Sequence, residues 1–376
     1  MFDFSYLCNM KLHIFNPEHD LALAANIDNY TAPHAGRQLR RDLGFIPALW
    51  ADEGDLVLVE DIDDAYDKVR HLGTIYNKVE FVTPLQLAEI FKNTMLADSI
   101  HPWGWDKALV YQLKSMGCPD IMLPTPETLA KMREVSGRGW AAGHLQTDVE
   151  YVANMEDLKK VVACKGKAVI KAPWSSSGRG VRYITLTSDD DVKNNALVGG
   201  ADTDAIYRWA ENVIKQQGGV TVESYYNKVL DFGMEFEVKD GKVSYRGLSL
   251  FDTIKAAYTG NVLAPEQEKE EMLAEYVSAN QLQEIREQLT ACLEPALHQV
   301  YQGPFGVDMM VYADAAGQLH VNPCVELNLR RTMGHVALDM GLSDKASRHL
   351  MQIDFDGKHY HLRVLPGRPS ENAPMH

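Results

Sequence analysis

The chain has 376 residues, of which 45% are hydrophobic and 24% are charged, and its mean hydropathy is −0.25. This composition is that of a globular protein long enough for two or three domains, and it excludes a collagen-like, a low-complexity or a small disulfide-stabilised chain. Asp and Glu number 52 against 37 Lys and Arg, so the formal net charge is −15. That sign disfavours a protein that coats nucleic acid or an anionic membrane.

Cysteine usage and hydropathy indicate a compartment. The five cysteines are scattered without a CxxC pair, which favours free thiols in a reducing environment. No apolar run reaches the roughly 18 residues of a membrane-spanning helix, and the first ten residues lack the basic segment of a signal peptide. These features predict a cytoplasmic protein, with Met1 or Met10 as its natural start.

The first hundred residues alternate strand-like and helix-like segments. Strands are predicted at 11–15, 56–59 and 79–82, and residues 36–43 have helical spacing. Such alternation is typical of βαβ units on a parallel sheet. We therefore predict an N-terminal α/β domain over residues 1–100.

Glu18, His19 and Asp20 follow the first predicted strand in succession. Loops at this end of an open α/β sheet often bind ligands, so a contact with a substrate amine or carboxylate is one interpretation. In the other interpretation, Asp20 is the N-cap of a helix that begins at Leu21, and His19 is a capping or surface residue. The local pattern favours the second interpretation.

A strand–loop–strand element occupies the middle of the chain. Residues 167–172 and 181–186 are predicted strands, and the loop between them contains the sequence SSSGRG just after Lys171. Small residues let backbone N–H groups approach an anion, and a nearby ammonium group neutralises it. The alternative is an ordinary hairpin loop. The element is not a Walker phosphate loop, because it joins two strands and lacks the GxxxxGK[ST] pattern.

Asp308, Glu326 and Asn328 form a second candidate site. Glu326 and Asn328 are two residues apart, so in an extended chain both side chains lie on one face, and a hairpin can bring Asp308 onto that face. Three oxygen ligands suit a hard divalent ion such as Mg²⁺. The alternative is a polar strand face in contact with solvent.

In this order and separation, the two stretches resemble the ATP-grasp superfamily. The pattern of that family is a lysine before a glycine-rich strand–loop–strand, a hinge strand with a glutamate, and then a metal-binding aspartate followed by Glu-x-Asn. The matching positions are Lys171 with residues 175–180, Glu223 in VESYY, Asp308, and Glu326 with Asn328. The resemblance covers roughly residues 102–335, including a segment in which Lys107 precedes a Pro-rich stretch.

The resemblance implies an α/β fold in which an ATP-grasp fold follows the N-terminal α/β domain. Its first lobe, with the phosphate-binding loop, is expected at residues 101–222, and its second lobe, with the metal site, at residues 223–365. Residues 366–376 are predicted to be a disordered tail.

The resemblance also implies roles in nucleotide binding. Lys107 and Lys171 would contact the phosphates of ATP as point charges. The loop over the β- and γ-phosphates would contain Ser175, Ser176, Ser177, Gly178 and Gly180. Glu223 and the backbone near Tyr225 would hold adenine, and Asp231 would hold the ribose, with Glu235 as a second candidate. For each position the alternative is an ordinary exposed or structural residue.

The metal and catalytic roles follow from the same resemblance. Asp308, Glu326 and Asn328 would bind Mg²⁺, or Mn²⁺ in its place. Arg330 lies two residues past Asn328, and with Lys171 it would stabilise the transferring phosphoryl group.

The function implied is an ATP-dependent ligase that joins a carboxylate to an amine through an acyl phosphate. Its partners would be small-molecule acids and amines, and a homodimer is one of the oligomeric states compatible with the sequence. Two alternatives remain: a small-molecule kinase with the same fold, and a non-catalytic ATP-binding regulatory module. The residues do not distinguish among amino acids, peptides and other small acids as substrates.

Overall fold

The computed structural model describes residues 10–72, 78–93, 99–175, 179–186, 203–254, 257–341 and 349–366, without the side chains of 252–259. Within these ranges the chain forms three β-sheets. The first is parallel and the other two are antiparallel, so the predicted α/β class is confirmed.

The parallel sheet is built from the first hundred residues, as predicted. Its strands are β1 (Lys11–Ile14), β2 (Leu56–Leu58), β3 (Glu80–Val82) and β4 (Ser99–Pro102), in the order β3-β2-β1-β4. The helices of this region are α1 (His19–Ala25), α2 (His34–Leu43), α3 (Ile62–Arg70) and α4 (Pro84–Asn93). Each β-strand pairs in parallel with its neighbour, which requires the helical crossovers found between the strands.

The second sheet has four antiparallel strands in the order β5-β8-β6-β7. They are β5 (Val149–Val152), β6 (Lys167–Lys171), β7 (Val181–Thr185) and β8 (Val220–Ser224). Before and between them lie α5 (Lys107–Ser115), α6 (Pro126–Ser136), α7 (Arg138–His144), α8 (Met155–Lys165) and α9 (Thr203–Gln217). The predicted strands at 167–172 and 181–186 are therefore β6 and β7, paired across the serine- and glycine-containing loop.

The third sheet has seven antiparallel strands in the order β13-β12-β9-β10-β11-β14-β15. They are β9 (Asn227–Lys239), β10 (Lys242–Ile254), β11 (Ala257–Leu263), β12 (Gly303–Ala313), β13 (Leu319–Asn328), β14 (His349–Phe355) and β15 (Tyr360–Pro366). The associated helices are α10 (Glu266–Leu273), α11 (Ala279–Leu297) and α12 (Met333–Asp339). Pro366, assigned to the tail in the sequence analysis, is the last residue of β15, and 367–376 lie outside the described residues.

The hairpin between β9 and β10 turns at Asp240 and Gly241. Both residues have positive φ angles, 52° and 73°, as a two-residue hairpin turn of the Asp-Gly type requires. The two strands are 13 residues each. Residues 232–236 of β9 are buried without a break, so this part of the strand lacks the alternation of polar and apolar residues.

Side-chain caps begin the two helices that border the site. The Asp106 carboxylate accepts the N–H of Leu109 at 2.9 Å at the start of α5. At the start of α12, Thr332 and His335 form a capping box. Each cap satisfies backbone N–H groups that the first helical turn leaves without a partner.

Apolar packing joins the parallel sheet to the seven-stranded sheet. One core cluster includes Leu12 and Ile14 of β1 together with Phe232 and Phe236 of β9. Phe236 stacks on Phe305 with ring centroids 5.3 Å apart. The antiparallel four-stranded sheet, β5-β8-β6-β7, has a separate core cluster around Leu158, so it packs as a lobe with its own core.

Buried polar contacts tie the segment after β1 to the start of α5. Asn16 Nδ2 donates to the carbonyl oxygen of Gly104 at 2.8 Å, and His19 Nδ1 lies 3.1 Å from Asp106 Oδ2. His19 is 2% exposed, so its interpretation as a surface residue is wrong. A buried polar side chain needs such partners, because desolvation without them is costly.

Thiols and helix hydropathy complete the description. Four of the cysteines lie in the described ranges and are free, whereas Cys8 lies outside them. Among the helices of these ranges, none combines the length and apolar character needed to cross a membrane.

One carboxylate connects α2 to the C-terminal strand β15. Asp42 is almost fully buried and accepts hydrogen bonds from Gln38 Nε2 at 2.7 Å and from the N–H of Tyr360 at 2.9 Å. His359 Nδ1 lies 3.0 Å from its other oxygen. Burial alone would raise the pKa of Asp42, but these hydrogen bonds lower it below its usual value.

We expect Asp42→Asn to lower the free energy of unfolding at neutral pH by about 1–3 kcal/mol, because buried donors lose a charged acceptor. The pKa of Asp42 is lower in the folded chain than in the unfolded chain. Its contribution is therefore complete above the unfolded value of about 3.9 and is lost as the pH falls through the folded value. Denaturant unfolding at a series of pH values measures both effects. A variant as acid-sensitive and as stable as the wild type would contradict this assignment.

Candidate functional site

A cavity of about 490 Å³ lies where the three sheets meet. Its walls include Glu18 and Asp20 beside the parallel sheet, Ser175 after β6, and Arg138 at the start of α7. The seven-stranded sheet and the segment after it contribute Glu235, Asp308, Glu326, Asn328 and Arg330. Charged side chains from distant parts of the sequence thus surround one cavity.

The β12–β13 hairpin brings together the three predicted metal ligands. Asp308 and Glu326 are directly opposite each other in the antiparallel register. Asn328 Nδ2 donates to Asp308 Oδ2 at 3.0 Å, and all three residues line the cavity. The spacing of two between Glu326 and Asn328 therefore has the geometric consequence that the sequence predicts.

The electrostatics of this trio suit a cation. Burial raises the pKa of Asp308 to about 8, with further contributions from the charges of Glu326 and Glu235. In the described chain, no three His, Cys, Asp or Glu side chains form a ready metal-binding group. The donor set of two carboxylates and one amide oxygen nevertheless fits a hard divalent ion such as Mg²⁺, which would offset the crowded negative charge.

Arg138 connects this trio to the phosphate-binding loop predicted after β6. Its Nη2 donates to Glu326 Oε1 at 2.6 Å, and its Nη1 donates to the carbonyl oxygen of Ala172 at 2.7 Å and to Ser175 Oγ at 2.9 Å. Its side chain is almost fully buried. The sequence analysis missed this residue, and its only local signal is an arginine between Gly137 and Gly139.

Lys171 and Glu223 form an ion pair on the neighbouring strands β6 and β8. Their Nζ and Oε1 atoms are 2.6 Å apart, and both side chains are more than nine-tenths buried. Burial raises the pKa of the Cys324 thiol, which also experiences the charges of Asp308, Lys171, Glu326 and Glu223. The two predicted groups therefore lie close to the same buried residue of β13.

The two ends of the predicted phosphate-binding loop are held together. The N–H of Ala172 donates to the carbonyl oxygen of Gly180 at 2.8 Å. A Cβ atom on Gly180 would lie 2.3 Å from Ser175, so this close approach requires glycine. Ser175 lines the cavity, whereas the candidates Ser176, Ser177 and Gly178 lie outside the described residues.

Lys171 and Glu223 do not line the cavity, and neither do three other predicted nucleotide contacts. Tyr225 is exposed, with Lys167 Nζ 3.5 Å from its ring centroid. Asp231 Oδ2 accepts Lys228 Nζ at 2.5 Å, and Lys107 is the half-buried first residue of α5. By contrast Glu235, the second ribose candidate, is buried in the cavity wall.

Arg330 lies in the cavity wall and is held by Asp20. Its Nε and Nη2 atoms donate to the two oxygens of Asp20 at 3.0 and 2.8 Å, and Nη2 also donates to Asn328 Oδ1 at 3.0 Å. Burial opposes charge on both partners, but the pair lowers the pKa of Asp20 and raises that of Arg330. The interpretation of Asp20 as a plain N-cap is therefore wrong, since Glu18 occupies that position.

Comparisons with known proteins give similarity at the level of structure only. No protein-family model matches the chain, and no curated protein matches it by sequence. Similar solved structures include N5-carboxyaminoimidazole synthetase from Staphylococcus aureus complexed with ADP, at 13% identity and a TM-score of 0.45, over 92% of this chain and 82% of that one.

Two further similar structures extend the comparison. One is the biotin carboxylase domain dimer of 2-oxoglutarate carboxylase from Hydrogenobacter thermophilus with MgADP, ADP and bicarbonate (14% identity, 91% of this chain and 74% of that one, TM-score 0.45). The other is a protein from Archaeoglobus fulgidus assigned to the ATP-grasp superfamily (12% identity, 96% and 100%, TM-score 0.47). TM-scores below 0.5 transfer no activity, ligand or metal to this chain.

The Asp20–Arg330 pair predicts a stability effect. We expect Asp20→Asn to lower the free energy of unfolding by about 1–3 kcal/mol, because it leaves a largely buried guanidinium without its carboxylate. The matched control is Asp67→Asn, which breaks an exposed pair with Arg70 and should cost under about 1 kcal/mol. Denaturant unfolding at pH 7 compares the two, and equal losses would show that the Asp20 pair stabilises no more than a surface pair.

Proposed function

We propose that this protein is an ATP-dependent ligase that joins a carboxylate to an amine through an acyl phosphate. The observation that carries the proposal is the bridge made by Arg138. It spans from Glu326 of the candidate metal trio to Ser175 of the candidate phosphate loop, at one cavity. Phosphoryl transfer needs cations and hydrogen-bond donors placed around the same phosphate group, and this arrangement supplies them.

The nucleotide lies with its phosphates between the loop after β6 and the trio on β12 and β13. Lys171 neutralises phosphate charge once the nucleotide exchanges for its present partner, Glu223. Glu223 and the backbone near Tyr225 then hold adenine, and Lys107 adds a further positive charge. The ribose is held by Asp231 or by Glu235, of which only Glu235 lines the cavity.

The reaction proceeds in two displacements. An oxygen of the substrate carboxylate attacks the γ-phosphorus, the bond from that phosphorus to ADP breaks, and an acyl phosphate forms. Arg330 and Arg138 stabilise the negative charge that spreads over the transferring group. The nitrogen of the amine then attacks the acyl carbon, inorganic phosphate leaves, and the nitrogen loses a proton. The protein's part is positioning and charge neutralisation, with no covalent nucleophile.

Asp308, Glu326 and Asn328 would hold a divalent cation, which supplies Lewis-acid charge on the phosphate oxygens when bound. Glu326 accepts a hydrogen bond from Arg138 in this structure, and the Arg138 guanidinium would be able to donate to a phosphate oxygen when Glu326 serves as a metal ligand instead.

We expect ADP and inorganic phosphate to appear together only when ATP, Mg²⁺, a carboxylic acid and an amine are all present. Lys171→Ala and Glu326→Gln should each lower kcat/KM by at least about a hundredfold, because each removes charge complementarity to the transferring phosphoryl group. Product release from pooled acids and amines, followed by mass spectrometry, measures this and identifies the product.

Matched control variants are Lys160→Ala and Glu156→Gln, which alter an exposed pair on α8 and should leave the rate unchanged. A phosphorylated acceptor with ADP but no free phosphate would replace the ligase by a kinase. Nucleotide binding without turnover on any pool would favour a binding module.

The metal trio generates a separate prediction. We expect Asp308→Asn to weaken Mn²⁺ binding in the presence of ATP by at least about tenfold, because the amide lacks the charge of the carboxylate. Electron paramagnetic resonance of free Mn²⁺ measures the affinity directly, without turnover. Asp314→Asn, in the exposed β12–β13 turn, is the control. Equal Mn²⁺ affinity in wild type and Asp308→Asn would remove Asp308 from the metal site.

A further inference from the structure

One wall of the cavity lies deeper in the seven-stranded sheet than the metal trio. This inner wall consists of Glu235 on β9, Ser249 on β10 and Asn261 on β11, all at least 95% buried and all lining the cavity. Asn261 Nδ2 donates to Ser249 Oγ at 2.8 Å. Among the described residues, neither Asn261 Oδ1 nor Glu235 Oε2 has a hydrogen-bond donor. The inner wall therefore presents two acceptor atoms to which no group of the described chain donates a hydrogen bond.

Among the described residues, no lysine or arginine lies within ion-pair distance of the Glu235 carboxylate, and its nearest ionisable neighbour is a histidine. Glu235 Oε2 lies 2.9 Å from His335 Nδ1. The Nε2 of that ring lies 3.0 Å from the carbonyl oxygen of Phe236, which can only accept, so Nε2 carries a proton. Nδ1 in turn faces the N–H and hydroxyl of Thr332, for which it is an acceptor. Nδ1 of His335 is thus directed at Thr332, and Lys269, which experiences the charge of Glu235, donates its own hydrogen bond to the carbonyl oxygen of Leu248.

Two glycines keep the Glu235 carboxylate in place. A Cβ atom on Gly334 would lie 1.9 Å from Glu235 Oε1 and 2.5 Å from Ser249 Oγ. A Cβ atom on Gly306 would lie 2.5 Å from Glu235 Oε2. Both positions therefore require glycine while the carboxylate occupies this site. A buried charge that the backbone surrounds this closely, and that remains unpaired, is costly unless a ligand compensates it.

The surroundings of the inner wall differ from those of the metal trio. Phe251, Ile353 and Tyr360 line the cavity around it, whereas the guanidinium groups of Arg138 and Arg330 lie with the trio. Donors for an anion are thus at one end of the cavity, and acceptors beside apolar side chains are at the other. A ligand that fits the second end carries a cationic donor on an apolar skeleton.

We infer that the inner wall binds the primary ammonium group of a small amine with an apolar substituent. A primary ammonium has three N–H donors, which match the oxygens of Glu235, Ser249 and Asn261. Resting on the proposed ligase function, this assigns the acceptor substrate to the class of primary amines, bound as the cation at the inner wall. The amine lies across the cavity from the phosphate-binding groups. An ammonium nitrogen has no lone pair, so one of its protons first passes to the Glu235 carboxylate, and the neutral amine then attacks the acyl carbon.

The test measures binding without nucleotide, with benzylamine, benzyltrimethylammonium and benzyl alcohol as probes of matched shape. Ligand-observed NMR titration gives the affinities. We expect benzylamine to bind at least about tenfold more tightly than the other two, because only it has both the charge and the N–H donors. Glu235→Gln should weaken benzylamine binding at least about tenfold, since the amide removes the charge while its NH₂ group can still donate to His335 Nδ1.

Glu237→Gln is the matched control, on the same strand but outside the cavity lining, and it should leave benzylamine affinity unchanged. Ser249→Ala, a smaller change in the same wall, tests the inference if Glu235→Gln does not fold. We expect it to weaken benzylamine binding about two- to tenfold. Equal affinity for the three probes, no saturable binding of benzylamine, or unchanged affinity in both wall variants would overturn the inference.

Two outcomes separate this inference from the ligase proposal. If Mg²⁺ displaces benzylamine in wild type, and Glu235→Gln abolishes Mg²⁺ binding, the wall is a metal site and the inference is wrong. If benzylamine binds as expected but no acid and amine pool supports ADP release, the ligase proposal fails while the amine site stands. If Glu235→Gln retains ligase activity with the wild-type KM for the amine, the ligase proposal stands and the amine site is wrong.

Discussion

The burial of several carboxylates around one cavity is the constraint on which the rest of the site depends. Asp308, Glu326 and Glu235 lie close enough to raise the pKa of Asp308 to about 8, with burial as the largest cause. Like charges at short range in a poorly solvated cavity repel strongly, and nothing in the apolar core offsets that repulsion. A fold that buries such carboxylates must place positively charged side chains beside them or bind cationic ligands there.

Arginines from outside the sheet that carries the carboxylates compensate part of their negative charge. Arg138 comes from a short helix of the middle region and Arg330 from the segment after β13, where Asp20 holds it from the parallel sheet. Planar guanidinium groups suit this task because each satisfies several oxygens in a fixed geometry. These contacts also join all three sheets at the cavity. The hydrogen bonds that compensate the charges therefore also hold the walls of the cavity together.

The parts of this arrangement that are local in sequence could be predicted. Lys171 at the end of a strand, and Glu326 and Asn328 on one strand face, follow from the period of two in a β-strand. The contacts that are distant in sequence could not be predicted. Arg138 reaches Glu326 across 188 positions, and Asp20 reaches Arg330 across 310. No spacing rule applies at such separations, so the local pattern favours a helix cap for Asp20 and gives no role to Arg138. The ATP-grasp pattern supplied the order of the motifs but not these partners.

The polarity of hydrogen bonding along the cavity gives the site a direction. At one end Arg138 and Arg330 present donors, which suit phosphate and carboxylate oxygens. At the other end Glu235 and Asn261 present acceptors beside apolar side chains. A reaction that joins an acid to an amine needs this asymmetry, because each substrate carries the opposite charge and must be held with its reactive atom facing the other. A cavity with donors at both ends would hold two anions and favour transfer between them, whereas this one favours the meeting of an anion with a cation.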